Sequence, residues 1–119
     1  LRVGLIKKED KIIIPEKDTK IEIHDEKELH RALNIDASMI GINNRNLKTM
    51  QTSLNVTKNL LQKIPKKKLI VSESGFKNRS DLEEMAKSGV RCFLIGETLM
   101  KSKNIEQATL NLLKDPFNE

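Results

Sequence analysis

The stretch MIGINNRNL, Met39 to Leu47, decides how the rest of the chain is read. Met39, Ile40 and Ile42 make a short apolar strand with Gly41 inside it. Asn43, Asn44, Arg45 and Asn46 follow with no apolar break. A buried strand ending in four polar groups needs hydrogen-bonding partners there, because each unpaired buried polar group costs about 1–3 kcal/mol. The stretch predicts a buried strand whose Asn-Asn-Arg end faces the mouth of a site.

Working outward, the chain alternates two periodicities from Lys20 onward. KIEIHD (20–25) alternates polar and apolar residues as a strand does, and DEKELHRALN (25–34) places Leu29, Ala32 and Leu33 on one helix face. Beyond the opening strand, Leu54, Leu60, Leu61 and Ile64 mark a second helix that Pro65 ends. KLIVSESG (68–75) is a third strand. Ser80 and Glu83 have the spacing of a capping box, Leu82, Met85 and Ala86 form a buried stripe, and Gly89 suits a left-handed C-terminal turn. CFLIG (92–96) is a fourth strand. Ile105, Ala108, Leu112 and Leu113 face a last helix that Asp115-Pro116 stops. Apolar strands separated by amphipathic helices predict an α/β fold with a helix-covered parallel sheet, either part of a barrel or doubly wound. Residues 1–19 stand outside this rhythm, LRVGLI and KIIIP reading as two short strands around the charged turn KKED.

Ligands of parallel strand-helix folds bind at the carboxyl ends of the strands. All four ends here are polar: Glu22, His24 and Asp25; Asn43, Asn44 and Arg45; Ser72, Glu73, Ser74 and Gly75; Gly96, Glu97 and Thr98. Gly75 and Gly96 would let backbone N–H groups approach a phosphate closely. A tight turn also needs glycine, but two such glycines on consecutive strand ends favour the phosphate reading.

Composition narrows the classes. The 119 residues suffice for one core. No apolar run approaches the roughly 20 residues that cross a bilayer, so no membrane partner is expected. The net charge of +5 comes mostly from scattered lysines, and with three Phe and no Trp or Tyr there is no stacking platform for bases. Nucleic acid is therefore not an expected partner. Cys92 is the single cysteine. It excludes an intrachain disulfide, suits a reducing cytoplasm and sits in an apolar run as a buried, inert thiol.

EIHDEKEL, IGINNRNLKT, LIVSESG and FLIGETLM, in that order and spacing, resemble the last four strand-helix units of indole-3-glycerol phosphate synthase, a (β/α)8 barrel. The likeness runs over roughly residues 20–114. It implies the carboxyl-terminal half of a TIM barrel, about four βα units, preceded by an unassigned segment 1–19. The implied reaction is a lyase step of tryptophan biosynthesis: indole ring closure of 1-(2-carboxyphenylamino)-1-deoxyribulose 5-phosphate with loss of CO2 and water. The resemblance implies no metal or organic cofactor.

By the same resemblance Glu22 is the general base, Asn43 hydrogen-bonds substrate, and Arg45 addresses its carboxylate, a role that can coexist with structural pairing to Glu22 or Glu73. Glu73 contacts the sugar-like hydroxyls. Ser74, Gly75, Leu94, Gly96 and Glu97 line the phosphate end, with the Glu97 side chain turned away from the anion. His24 and His30 are read as surface positions. The family's general-acid lysine belongs to units this chain lacks, so little turnover is expected from it alone. Association as a homodimer or with an amino-terminal half-barrel is expected to cover its open edges. The alternative function is a non-catalytic phosphate-binding or half-barrel assembly module.

Overall fold

The four expected units are present in the computed structural model, which describes residues 2–3 and 20–113. Its elements run β1 (Arg2–Val3), β2 (Lys20–Ile23), α1 (Glu26–Asn34), β3 (Met39–Asn43), α2 (Asn55–Leu61), β4 (Leu69–Glu73), α3 (Arg79–Lys87), β5 (Cys92–Leu94), α4 (Glu97–Met100) and α5 (Ile105–Leu113). KIIIP and Asp115-Pro116 lie outside the described residues.

The strands form one sheet in the order β1-β5-β4-β3-β2, every pairing parallel. From β2 to β5 each new strand adds on the same side as the last. That progression is singly wound, as part of a barrel is, and it removes the doubly wound alternative. β1 continues the sheet beyond β5, with Arg2 opposite Cys92 and Val3 opposite Phe93. The amino-terminal end, read as outside the rhythm, thus supplies a fifth strand.

Strand alternation sorts the residues onto two faces. Ile21, Ile23, Ile40, Ile42, Ile70 and Phe93 pack with Leu29, Ala32, Leu60, Leu82, Met85 and Leu112 of four helices into a single core. Lys20, Glu22, Gly41, Asn43, Val71, Glu73, Cys92 and Leu94 share the opposite phase. Cys92 is half-buried on this second face, less enclosed than its apolar neighbours suggested, because the helices cover only the other side. On α5 only Leu112 is buried, whereas Ile105 and Leu113 are exposed.

Caps fix where the helices begin. Asp25, expected on the rim, instead caps α1 by accepting from Glu28 N at 2.8 Å. The expected Ser80/Glu83 box is displaced by two residues. Asn78 accepts from Asp81 N at 3.1 Å, and the Asp81 carboxylate accepts from Lys77 N at 2.9 Å. Asn78 is extended, with φ −150° and ψ 174°, which ends the helix before Ser80 can serve as its cap. Gly89, with φ +104°, makes the expected left-handed turn after α3.

Candidate functional site

β3 divides its polar end between the two faces by the same alternation. Asn43 stays in phase with Gly41 and lies opposite Glu73. Asn44 is in phase with Ile40 and Ile42, and it is buried toward α2 rather than facing the mouth. Its Nδ2 donates to Ser72 Oγ at 3.1 Å and to Ser74 O at 3.0 Å, while its Oδ1 accepts from Thr57 Oγ1 at 2.7 Å and Thr57 N at 3.2 Å. Ser72, also expected on the rim, is fully buried in this network. The pair therefore splits. Asn44 ties β3, β4 and α2 together, and Asn43 remains on the side of the strand ends.

Ser74 is one product of that tie. It holds a left-handed backbone, φ +69°, and Gly75 follows at φ +85°. Such a conformation costs a non-glycine residue about 1–2 kcal/mol, and Asn44 secures it by bonding the Ser74 carbonyl. A Cβ on Gly75 would also approach Thr52 Cβ to 3.2 Å, so the turn itself requires glycine there. Gly96 differs. Its φ is −129°, and a Cβ would meet nothing within 4 Å. Space gives no reason for glycine at 96, although its ψ of −59° takes the backbone outside the helical and extended regions; backbone access for a ligand would be a further reason.

Arg45, Ser74, Gly75, Leu94, Gly96 and Glu97 line one open groove of about 920 Å³. Arg45 and Glu97 form an ion pair across it, and Arg45 Nη1 donates to Met50 O at 2.8 Å. Arg45 is thus paired with neither Glu22 nor Glu73. Glu97 is exposed and also bonds Lys101 at 2.6 Å. Lys101 first, then Arg45, holds its carboxyl below the usual carboxylate value. Between β5 and α5, α4 is a four-residue helix of the kind that accompanies barrel phosphate sites.

Glu22, Asn43 and Glu73 come from three neighbouring strands. Glu22 pairs in register with Gly41, two residues before Asn43 on β3, and Asn43 pairs with Glu73. Glu22 is solvent-exposed, its side chain 43% accessible. The desolvated carboxylate is Glu73, 2% exposed. Burial pushes its carboxyl up, the hydrogen bond and charge of Lys20 pull it down, and the neighbouring Glu22, by its charge and by a hydrogen bond between the two carboxyls, raises it. Asn43 Oδ1 accepts from Arg45 N at 2.9 Å, linking this carboxylate group to the groove. His24, expected at the surface, is partly buried: it lies 3.1 Å from Glu28 Oε1 and 3.6 Å from Glu22 Oε2. His30 is exposed as expected. Among the described residues no cluster of His, Cys, Asp or Glu is arranged to hold a metal, and no helix is long and apolar enough to cross a membrane.

Two participants escaped the sequence reading. Lys20 carried a signal, since it shares the strand phase of Glu22. Thr57 did too, as a polar residue in the i, i+3 row of Leu54 and Leu60.

The comparisons with known proteins agree with this architecture. The sequence model of the family described as indole-3-glycerol phosphate synthase matches residues 16–112. An indole-3-glycerol phosphate synthase of Azospirillum brasilense is 42% identical over 96 residues, covering 81% of this chain and 37% of that protein. One of Acetivibrio thermocellus is 46% identical over 87 residues, covering 73% and 34%. One of Zymomonas mobilis subsp. pomaceae is 42% identical over 96 residues, covering 81% and 36%. The chain spans about a third of the length of these curated relatives. It belongs to the indole-3-glycerol phosphate synthase family.

Proposed function

We propose that residues 20–119 are the carboxyl-terminal part of a synthase barrel and act on 1-(2-carboxyphenylamino)-1-deoxyribulose 5-phosphate once the missing strands are supplied. The observation that carries this is the single-wound sheet that gathers Glu22, Asn43, Arg45, Glu73, Ser74, Gly75 and Gly96 at one set of strand ends.

In this reading the substrate phosphate sits between the Ser74-Gly75 turn and Gly96, taking backbone N–H donors from both and apolar contact from Leu94. Glu97 stays engaged with Lys101 and is turned from the anion. Arg45 exchanges Glu97 for the anthranilate carboxylate, whose planar pair of oxygens matches its guanidinium fork. Asn43 and Glu73 hold the polyol chain. As the aromatic carbon bonds the ketone carbon, CO2 leaves from the ring. Glu22, reachable from water, then takes the proton whose removal accompanies loss of the hydroxyl as water. None of the described strand ends carries the proton donor to the ketone, which the strands that complete the barrel would supply. By itself the chain should turn over several powers of ten more slowly than a complete barrel, the scale set by loss of acid catalysis and charge stabilisation.

Those strands would close the gap between β2 and β1, the two edge strands, each of which among the described residues pairs on one side only. An amino-terminal half-barrel fits this need better than a second identical copy, which would bring the same residues twice. The test is turnover of the ribulose phosphate by the purified chain, alone and mixed with the amino-terminal half of a relative such as the Acetivibrio thermocellus synthase. Activity only in the mixture is expected. Full activity from the chain alone defeats the proposal, and so does phosphate binding with no activity in any mixture, the behaviour of a binding module.

A further inference from the structure

Lys20 stands at the start of β2, yet its side chain runs across β3 to the end of β4, where Nζ lies 2.5 Å from Glu73 Oε1. Gly41 makes the crossing possible. A Cβ at that position would come 2.5 Å from Glu73 Oε2 and 3.1 Å from Lys20 Cδ, so stem and carboxylate both rest on bare backbone. Glu73 Oε2 is buried and receives no hydrogen bond from any described residue. One oxygen of this carboxylate is therefore fixed by a cation, while the other is enclosed with no amide, hydroxyl or cation donating to it and only the Glu22 carboxyl close to the group. A buried acceptor left empty is costly unless something else occupies it in the working state.

We infer that Lys20 is a positioning residue, clamping Oε1 of Glu73 over Gly41 so that Oε2 is presented to a hydroxyl donor of the ligand at the strand ends. The inference rests on the proposed function for the ligand, but the clamp can be tested without turnover. Besides Lys20, the charged groups facing Glu73 are Glu22 on β2 and, beyond it, His24. With Lys20 gone, only burial and Glu22 act on Glu73, and both favour its protonated form. An arginine at 20 would restore a cation; a methionine keeps the stem and removes the charge.

The experiment follows the side-chain carboxyl carbon of Glu73 by NMR through a pH titration in the full chain, in Lys20→Met and in Lys20→Arg, with Glu73→Gln to assign the signal. The midpoint moves to higher pH in Lys20→Met and returns in Lys20→Arg, with thermal melting showing each variant folded. An unchanged midpoint in folded Lys20→Met overturns the inference. In the mixture with an amino-terminal half, Lys20→Met should lower kcat/KM and shift the acid limb of its pH profile upward, and an unaltered profile also overturns it. Should the unsubstituted chain show no turnover in any mixture, the proposed reaction fails, and the titration alone decides the clamp.

Discussion

Arg45 and Glu97 face each other across the groove, joining the loop after β3 to the start of α4. Lys101 on the far side of Glu97 makes the carboxylate the middle member of a three-charge row. A ligand anion entering the groove meets Arg45 already engaged and Glu97 already negative. Removing the Glu97 charge frees one and abolishes the other. Glu97→Gln is expected to strengthen inorganic phosphate binding severalfold, and Arg45→Met to weaken it by a smaller factor through loss of a positive charge from the groove, with the melting temperature of Glu97→Gln nearly unchanged because Glu97 is exposed. Phosphorus NMR titration of each variant measures this.

The two glycines of the groove separate folding from binding. Gly75→Ala forces an L side chain into φ +85° against Thr52 and should cost about 1–2 kcal/mol of stability. Gly96→Ala meets no atom within 4 Å and keeps a negative φ, so it should cost less stability than Gly75→Ala. It should nevertheless lower phosphate affinity by screening the backbone donors. Urea denaturation beside phosphate titration distinguishes the two effects, and equal behaviour of both variants would contradict the assignment.

Neighbouring asparagines are expected to differ just as sharply. Asn44→Ala leaves Thr57, Ser72 and the Ser74 carbonyl short of partners, which should cost about 1–3 kcal/mol or more if the network is cooperative. Asn43→Ala removes one bond to Arg45 N and should destabilise much less. Thermal melts of the two variants, run together, test the division.

That division was legible in the sequence. Counting by two from Ile40 and Ile42 puts Asn44 on the helix side, and counting from Met39 and Gly41 puts Asn43 on the other. Reading the polar run as one group hid it. The helices and strands were recoverable because 3.6 and 2 are strong periods; the parallel sheet followed from apolar strands alternating with amphipathic helices, and the choice of a barrel over a doubly wound sheet from the family likeness. Helix starts were harder: Asn78 and Ser80 are both competent caps, and only backbone dihedrals choose between them. The Lys20–Glu73 pair was out of reach, since it joins residues 53 apart across an intervening strand through a gap left by a missing side chain.

Stability should respond to pH in two opposed ways. Burial chiefly raises the Glu73 carboxyl in the fold above its ordinary value. Its contribution is fully present below the ordinary carboxylate value and is lost as pH rises through the raised one. Glu26, Asp36 and Glu97 are lowered, the first two by hydrogen bonds from Lys63 and Lys68, so their contributions are present above the ordinary value and are lost as pH falls through the lowered one. Glu73→Gln should therefore remove the loss on the rising side and leave the acid side in place. Urea melts at a series of pH values between about 3 and 8 report both limbs.

The most direct test of the shared rim is chemical-shift mapping of the isotope-labelled chain with indole-3-glycerol phosphate, the product of the proposed reaction. Perturbations are expected to concentrate at the amides of residues 43–45, 74–75 and 96–97, with Gly89 and the α1–β3 turn at the other end of the strands unmoved. Perturbations centred on that opposite end, or none at saturating ligand in a folded chain, would contradict a shared rim.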